Sequence, residues 1–223
     1  MEKSKWQSLL ERYDGNRVIR GLIQLVPLGF GGAADVSLVL TLEKIREERT
    51  REFFDELGKG NIIVDSSLLE SEDFLHCYFA TVKYALNSRR REKIKMFARL
   101  LKSSVTGEGP NGVDEYEDFL NILDELSYRE LWALTILDQY QFSDKERTSD
   151  QNDAQWAITF WEEFIQCVSN ELSIPPDEVI DFLKRISRTG CYELITGWGF
   201  PNNGKVTPTY RRLKNFILES SET

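Results

Sequence analysis

The chain predicts a mostly α fold: an N-terminal helical domain, then a C-terminal domain of helices ending in one small β-hairpin and a last helix. Three observations carry that prediction. Apolar residues recur at helical spacing along most of the 223 residues. The stretch TGEGPNGV at 106–113 gathers turn-forming residues near the middle of the chain. Finally, an apolar helix is stopped by Gly190, after which CYELITGW, FPNNGK and VTPTYRRLKNFIL read as strand, turn, second strand from near Lys205, and helix.

Taken in order, Trp6, Leu9, Leu10 and Tyr13 mark a first helix, closed by the turn at Asp14 to Asn16. A second runs over 17–26, until Pro27 removes a donor and Gly29, Gly31 and Gly32 favour a turn. The next, over 33–57, is apolar at Val36, Leu38, Val39, Leu40 and Leu42, then charged, and Gly58 closes it. Glu47 and Arg51, four residues apart, suit an exposed face of that helix. Helices over 67–86 and 89–105 follow, the first with Phe74, Tyr78, Phe79, Val82 and Leu86 predicted to share one side.

The domain boundary is placed in TGEGPNGV, giving domains at 1–112 and 113–223, or else just after a helix over 114–125. The second half opens with a helix over 126–142 carrying Leu131, Leu134 and Leu137, with Ser127 as N-cap. SDKERTSDQND lacks apolar periodicity and reads as a loop. A helix over 154–172 then buries Phe160, Phe164, Val168 and Leu172, and Pro175 and Pro176 start the helix that Gly190 ends. No internal repeat is present.

Composition narrows the function. Plentiful aliphatic and aromatic residues describe a globular chain. A formal charge of −9 opposes generic polyanion binding, because a net negative field repels phosphate at long range. Cys77, Cys167 and Cys191 are odd in number and widely spaced, as expected for buried thiols in a reducing compartment. The first residues carry charges where a signal peptide needs an apolar run, so the expected location is cytoplasmic.

Residues 126–218 resemble the winged helix-turn-helix superfamily, through the helix, strand, turn and strand order and a threonine-proline helix start at Val206, Thr207 and Pro208 that leads into Tyr210, Arg211, Arg212 and Leu213. The N-terminal half resembles bacterial and prophage helical proteins in which an apolar proline-glycine hairpin precedes a charged helix. The winged-helix resemblance implies DNA binding through the third helix, with Lys184, Arg185, Arg188, Lys205, Arg211 and Arg212 as the residues for nucleic acid or another anionic partner.

A physical reading of that helix departs from this implication. Val179, Leu183 and Ile186 point one way, while Asp177, Asp181, Lys184, Arg185 and Arg188 point the other. The end that a recognition helix presents to base edges is therefore acidic, with Asp177, Glu178 and Asp181. The cations also serve simply to complement a helix C-terminus and solvate a surface.

A second basic face is expected on RRREKIKMFARLLK, where Arg91, Lys95, Arg99 and Lys102 lie nearly opposite Ile94, Phe97 and Leu101. Nucleic acid, an anionic lipid surface or an acidic partner fits it, and so does plain solvent. The apolar stretch 21–42 approaches the roughly 20 residues of a membrane span. Pro27 and the glycines divide it, however, and Asp35 would need a partner within lipid, so a buried hairpin competes with a membrane-docking one.

Catalytic patterns are scarce. His76 is the sole histidine, which excludes a multi-histidine metal site, and its neighbour Cys77 points about 100° away on a helix. No phosphate-loop, dinucleotide or serine-elbow motif occurs, and GFGG lacks the lysine and preceding strand of a phosphate loop. Acidic groups at Glu70, Glu72 and Asp73 and at Asp114, Glu115, Glu117 and Asp118 have the oxygen ligands for a hard cation, but they sit at helix starts, where the dipole alone favours them. The expectation is a non-enzymatic bacterial or phage-associated interaction or regulatory protein without cofactor, metal or catalytic residues, using a winged-helix scaffold to contact a protein partner or form a homodimer. Two alternatives stand beside it: a DNA-binding transcriptional regulator, and a membrane-acting effector in phage defence that uses the 21–42 hairpin.

Overall fold

The computed structural model describes residues 11–12, 17–24, 26, 36–59, 68, 70–142, 151–195 and 203–218. Among these, nine α-helices and one two-stranded antiparallel sheet form, so the chain is mostly helical. Most of the predicted first helix, the glycine segment after Pro27 and the side chains of 36–41 lie outside the described residues. So does most of the polar loop before Asn152.

Contacts divide the chain into a unit of residues 1–121 with 216–223 and a unit of residues 122–215. In the first unit, α1 (Arg17–Gln24), α2 (Val36–Leu57), α3 (Glu72–Asn87) and α4 (Arg91–Thr106) are followed by α5 (Gly112–Glu125), which ends in the second. Its core is built on Phe53, Phe54, Tyr78, Val82, Ile94, Phe97, Leu101 and Tyr116, all buried. Helix α3 starts later than its apolar pattern suggests because Ser71 is the N-cap, its hydroxyl accepting from the Phe74 amide at 3.3 Å. Phe79 departs from the predicted side and is 42% exposed. It falls one position past Tyr78, and on a helix that step of about 100° carries a side chain off a narrow apolar stripe.

Residues 107–111 form a tight turn inside this unit. Gly107 ends α4 in the left-handed region (φ 76°). A Cβ on Gly109 would lie 2.5 Å from the Ser103 backbone, so the turn is pressed against the end of α4.

The second unit holds α6 (Tyr128–Gln141), α7 (Asp153–Leu172), α8 (Val179–Ile186), β1 (Tyr192–Ile195), β2 (Asn203–Val206) and most of α9 (Pro208–Ile217). Two capping boxes set its long helices, Ser127 with Glu130 on α6 and Asn152 with Gln155 on α7. Leu131, Leu134, Leu137, Phe160, Phe164, Val168, Leu183, Ile186 and Leu213 fill the core, while Leu172 is half-buried.

Instead of one helix between the prolines and Gly190, short 3₁₀ turns at Pro176–Glu178 and Ser187–Thr189 flank α8, with Gly190 left-handed at φ 71°. The sheet pairs Tyr192 with Val206, Glu193 with Lys205, Leu194 with Gly204 and Ile195 with Asn203. The second strand thus begins two residues before Lys205 and takes in part of the predicted turn. Gly204 suits a strand here because the Tyr192 ring covers it, leaving no room for a Cβ. The threonine-proline start is also explained: Thr207 accepts from the Tyr210 amide at 3.3 Å and donates to the Gly190 carbonyl at 2.6 Å.

Candidate functional site

The second basic face is committed within its own unit. Helices α2 and α4 run side by side in the same direction, and their charges match in order. Glu52 lies 3.5 Å from Arg91 and 3.7 Å from Lys95, and Glu56 accepts from Arg99 Nε at 2.6 Å. Arg99 also donates to the Ile217 carbonyl at 3.1 Å, and Lys102 Nζ to the Lys59 carbonyl at 2.7 Å. Glu56 is buried and receives Lys59 as well, at 2.9 Å. The face reads as free from α4 alone, yet α2 supplies carboxylates at the same four-residue spacing. Glu47 does pair with Arg51, at 3.1 Å, but it is buried rather than on an exposed face.

The cations near α8 are arranged differently. Arg188 grips Glu130 through both guanidinium nitrogens, at 2.8 and 3.2 Å, and donates to the Glu125 carbonyl at 2.8 Å. Burial pushes the Glu130 carboxyl up. Hydrogen bonds from Arg188 and from the Ser127 amide outweigh that, holding Glu130 below the usual carboxylate value. The same bond raises Arg188. Arg188 is therefore a fastener between the end of α8 and the start of α6.

Lys205 hydrogen bonds to Asp153 at 3.1 Å, which raises its pKa, and lies 3.5 Å from Glu193 across the sheet. Lys184 pairs with Asp181 at 3.0 Å. Arg211 lies over the Phe142 ring at 4.0 Å, and Arg212 is engaged as well.

Arg185 stands apart. Its guanidinium lies over the Phe182 ring, 5.1 Å from the centroid, and among the described residues no carboxylate pairs with it. Arg129, at the start of α6, approaches the same ring at 5.8 Å and anchors itself on the Leu172 carbonyl at 2.7 Å. These two residues, Phe182, Ile174, Glu178 and Asp181 line a cleft of about 510 Å³ at the turn between α7 and α8. Ser173 makes that turn in the left-handed region (φ 52°), and Ser169 Oγ holds it by donating to the Ile174 carbonyl at 2.7 Å.

Phe182 is buried beneath the arginines, while Arg129, Arg185, Glu178 and Asp181 are exposed. A guanidinium held on an aromatic face is fixed in orientation and keeps its N–H edges available. The cleft thus offers preorganised donors beside carboxylates, a polar surface of both signs that suits a mixed-charge partner better than a polyanion.

Of the predicted site residues, the structure brings only Arg185 to this cleft, and it places Lys205 and Arg188 in internal bonds. Arg129 and Phe182 went unmarked in the sequence. Phe182 follows Val179 by three positions and could have been included in the apolar face, but nothing local ties Arg129 to that ring.

A smaller cavity of about 210 Å³ in the first unit is lined by Phe74, Cys77, Val105, Val113 and Tyr116 among others. Burial raises the Cys77 and Cys191 thiols to about 11, so both rest as thiols near neutrality. His76 hydrogen bonds to Glu117 at 2.6 Å on an exposed surface. Among the described residues no group of three His, Cys, Asp or Glu side chains is placed to hold a metal ion, and no helix is long and apolar enough to cross a membrane. No protein-family model, curated protein or solved structure matches the chain.

Proposed function

We propose that residues 122–215 form a winged-helix-like module used for protein contact, in a non-enzymatic interaction or regulatory protein. The order of three helices, hairpin and threonine-proline helix supports the resemblance. One observation carries the choice of protein over DNA. The outward face of the Pro176–Glu178 turn and α8 is acidic at its leading end, and of the basic side chains on α8 and the turn after it Lys184 is paired with Asp181 and Arg188 with Glu130, leaving Arg185 alone without a carboxylate partner among the described residues. A DNA-reading helix needs cations free to release phosphate counterions, about one per contacted phosphate.

The test is a fluorescence-anisotropy titration of short duplex DNA at 50 and 200 mM salt, a range across which real phosphate contacts lose about 10³-fold or more in affinity. The expected result is no saturable binding below about 100 μM, weaker than ordinary non-specific DNA affinity. Steeply salt-dependent binding that Arg185→Glu abolishes would establish the DNA-binding regulator instead.

A further inference from the structure

The α8 cleft carries two kinds of charged group without an ion-pair partner among the described residues: the Arg185 guanidinium, which rests on Phe182, and the Glu178 carboxylate. Beside them are Arg129, half-used at the end of α7, and Asp181, held only by the exposed Lys184. Acids on the rim repel a nucleic-acid backbone and disfavour a simple anion, while the arginines disfavour a simple cation. A surface with equal and adjacent charges of both signs is complementary to itself. In a twofold pairing, each copy presents the same patch, so every cation-to-anion contact is made twice.

Resting on the reading of this unit as a protein-contact module, we propose that its partner is a second copy of the same chain, with Arg185 and Arg129 of each copy meeting Glu178 and Asp181 of the other. Phe182 orients both guanidiniums before contact, which reduces the side-chain freedom lost on association. Ile174 and Phe182 supply an apolar floor to the open volume of about 510 Å³. Exposed ion pairs contribute little each, so pairing is weak, with Kd on the order of 10–100 μM.

The experiment is sedimentation velocity of the full chain from about 1 to 300 μM, a range spanning that affinity. The native chain shifts from monomer to dimer, and the shift weakens as salt screens the exposed charges. Arg185→Glu and Glu178→Arg, both at exposed positions, each stay monomeric because like charges then face each other twice. An equimolar mixture of the two variants recovers the dimer, since both contacts are opposite in sign again, and this recovery also shows that both variants are folded.

A native chain that stays monomeric to the top of the range overturns the self-contact, as does dimerisation of the single variants equal to that of the native chain. These outcomes are separable from the module reading. A monomer that binds no duplex DNA removes only the second copy as partner, whereas duplex binding lost with Arg185→Glu overturns both.

Discussion

Two surfaces of this protein carry arginines and differ in what they can do. On α4, Arg91, Lys95 and Arg99 meet Glu52 and Glu56 of α2. At the α8 cleft, Arg185 and Arg129 rest on one phenyl ring, and no carboxylate of the described residues closes on Arg185. In the first case charge is structural, fixing the register of two helices. In the second, an aromatic face holds the cation in place without neutralising it. The lesson is that the partner across the fold, not the density of basic residues, decides whether a cation is available.

The largest way to break this contrast is Arg99→Ala. It leaves Glu56 buried with only Lys59, and unfolding in urea should show a loss of about 3 kcal/mol, the low end for breaking a buried pair because Lys59 remains. Stability unchanged within about 0.5 kcal/mol, the ordinary spread of surface substitutions, would mean that the α2–α4 ladder is not structural.

Arg188→Ala should cost about 2 kcal/mol, since Glu130 loses a bidentate donor while keeping its Ser127 bonds. It should also change the pH dependence. The folded pKa of Glu130 is depressed, so its contribution is fully present above the unfolded value of 4.5 and is lost as pH falls through the lower folded value. Thermal melts from pH 7 downward should show that loss in the native chain and a flatter profile in the variant.

Smaller still is Ser127→Ala, expected to remove about 1 kcal/mol by deleting the α6 cap. At the bottom is Arg185→Ala, which should shift stability by only about 0.5–1 kcal/mol, the value of an exposed cation–π contact, while abolishing association. A large stability loss there would move Arg185 to the structural side of the comparison.

Much of this was legible along the chain. Caps such as Ser127, the glycine stops at Gly58 and Gly190, and the Thr207–Pro208 start act within a few residues, so local sequence reports them. The outward row of Asp177, Asp181, Lys184 and Arg185 followed from helical geometry alone. What escaped was every feature made by distant segments. The burial of Glu56 depends on α4 arriving beside α2, and the cleft depends on Arg129 reaching the ring of Phe182. Strand β2 began early because a tyrosine from β1 covers Gly204, a fit invisible in a segment that reads as a turn.

Arginine footprinting separates cations available at the cleft from those committed on α4. A dilute sample, below the range of self-association, is treated with a dicarbonyl reagent and the modified peptides are followed by mass spectrometry over time. The contrast predicts early labelling of Arg185 and strong protection of Arg99. Equal rates at the two positions would contradict it.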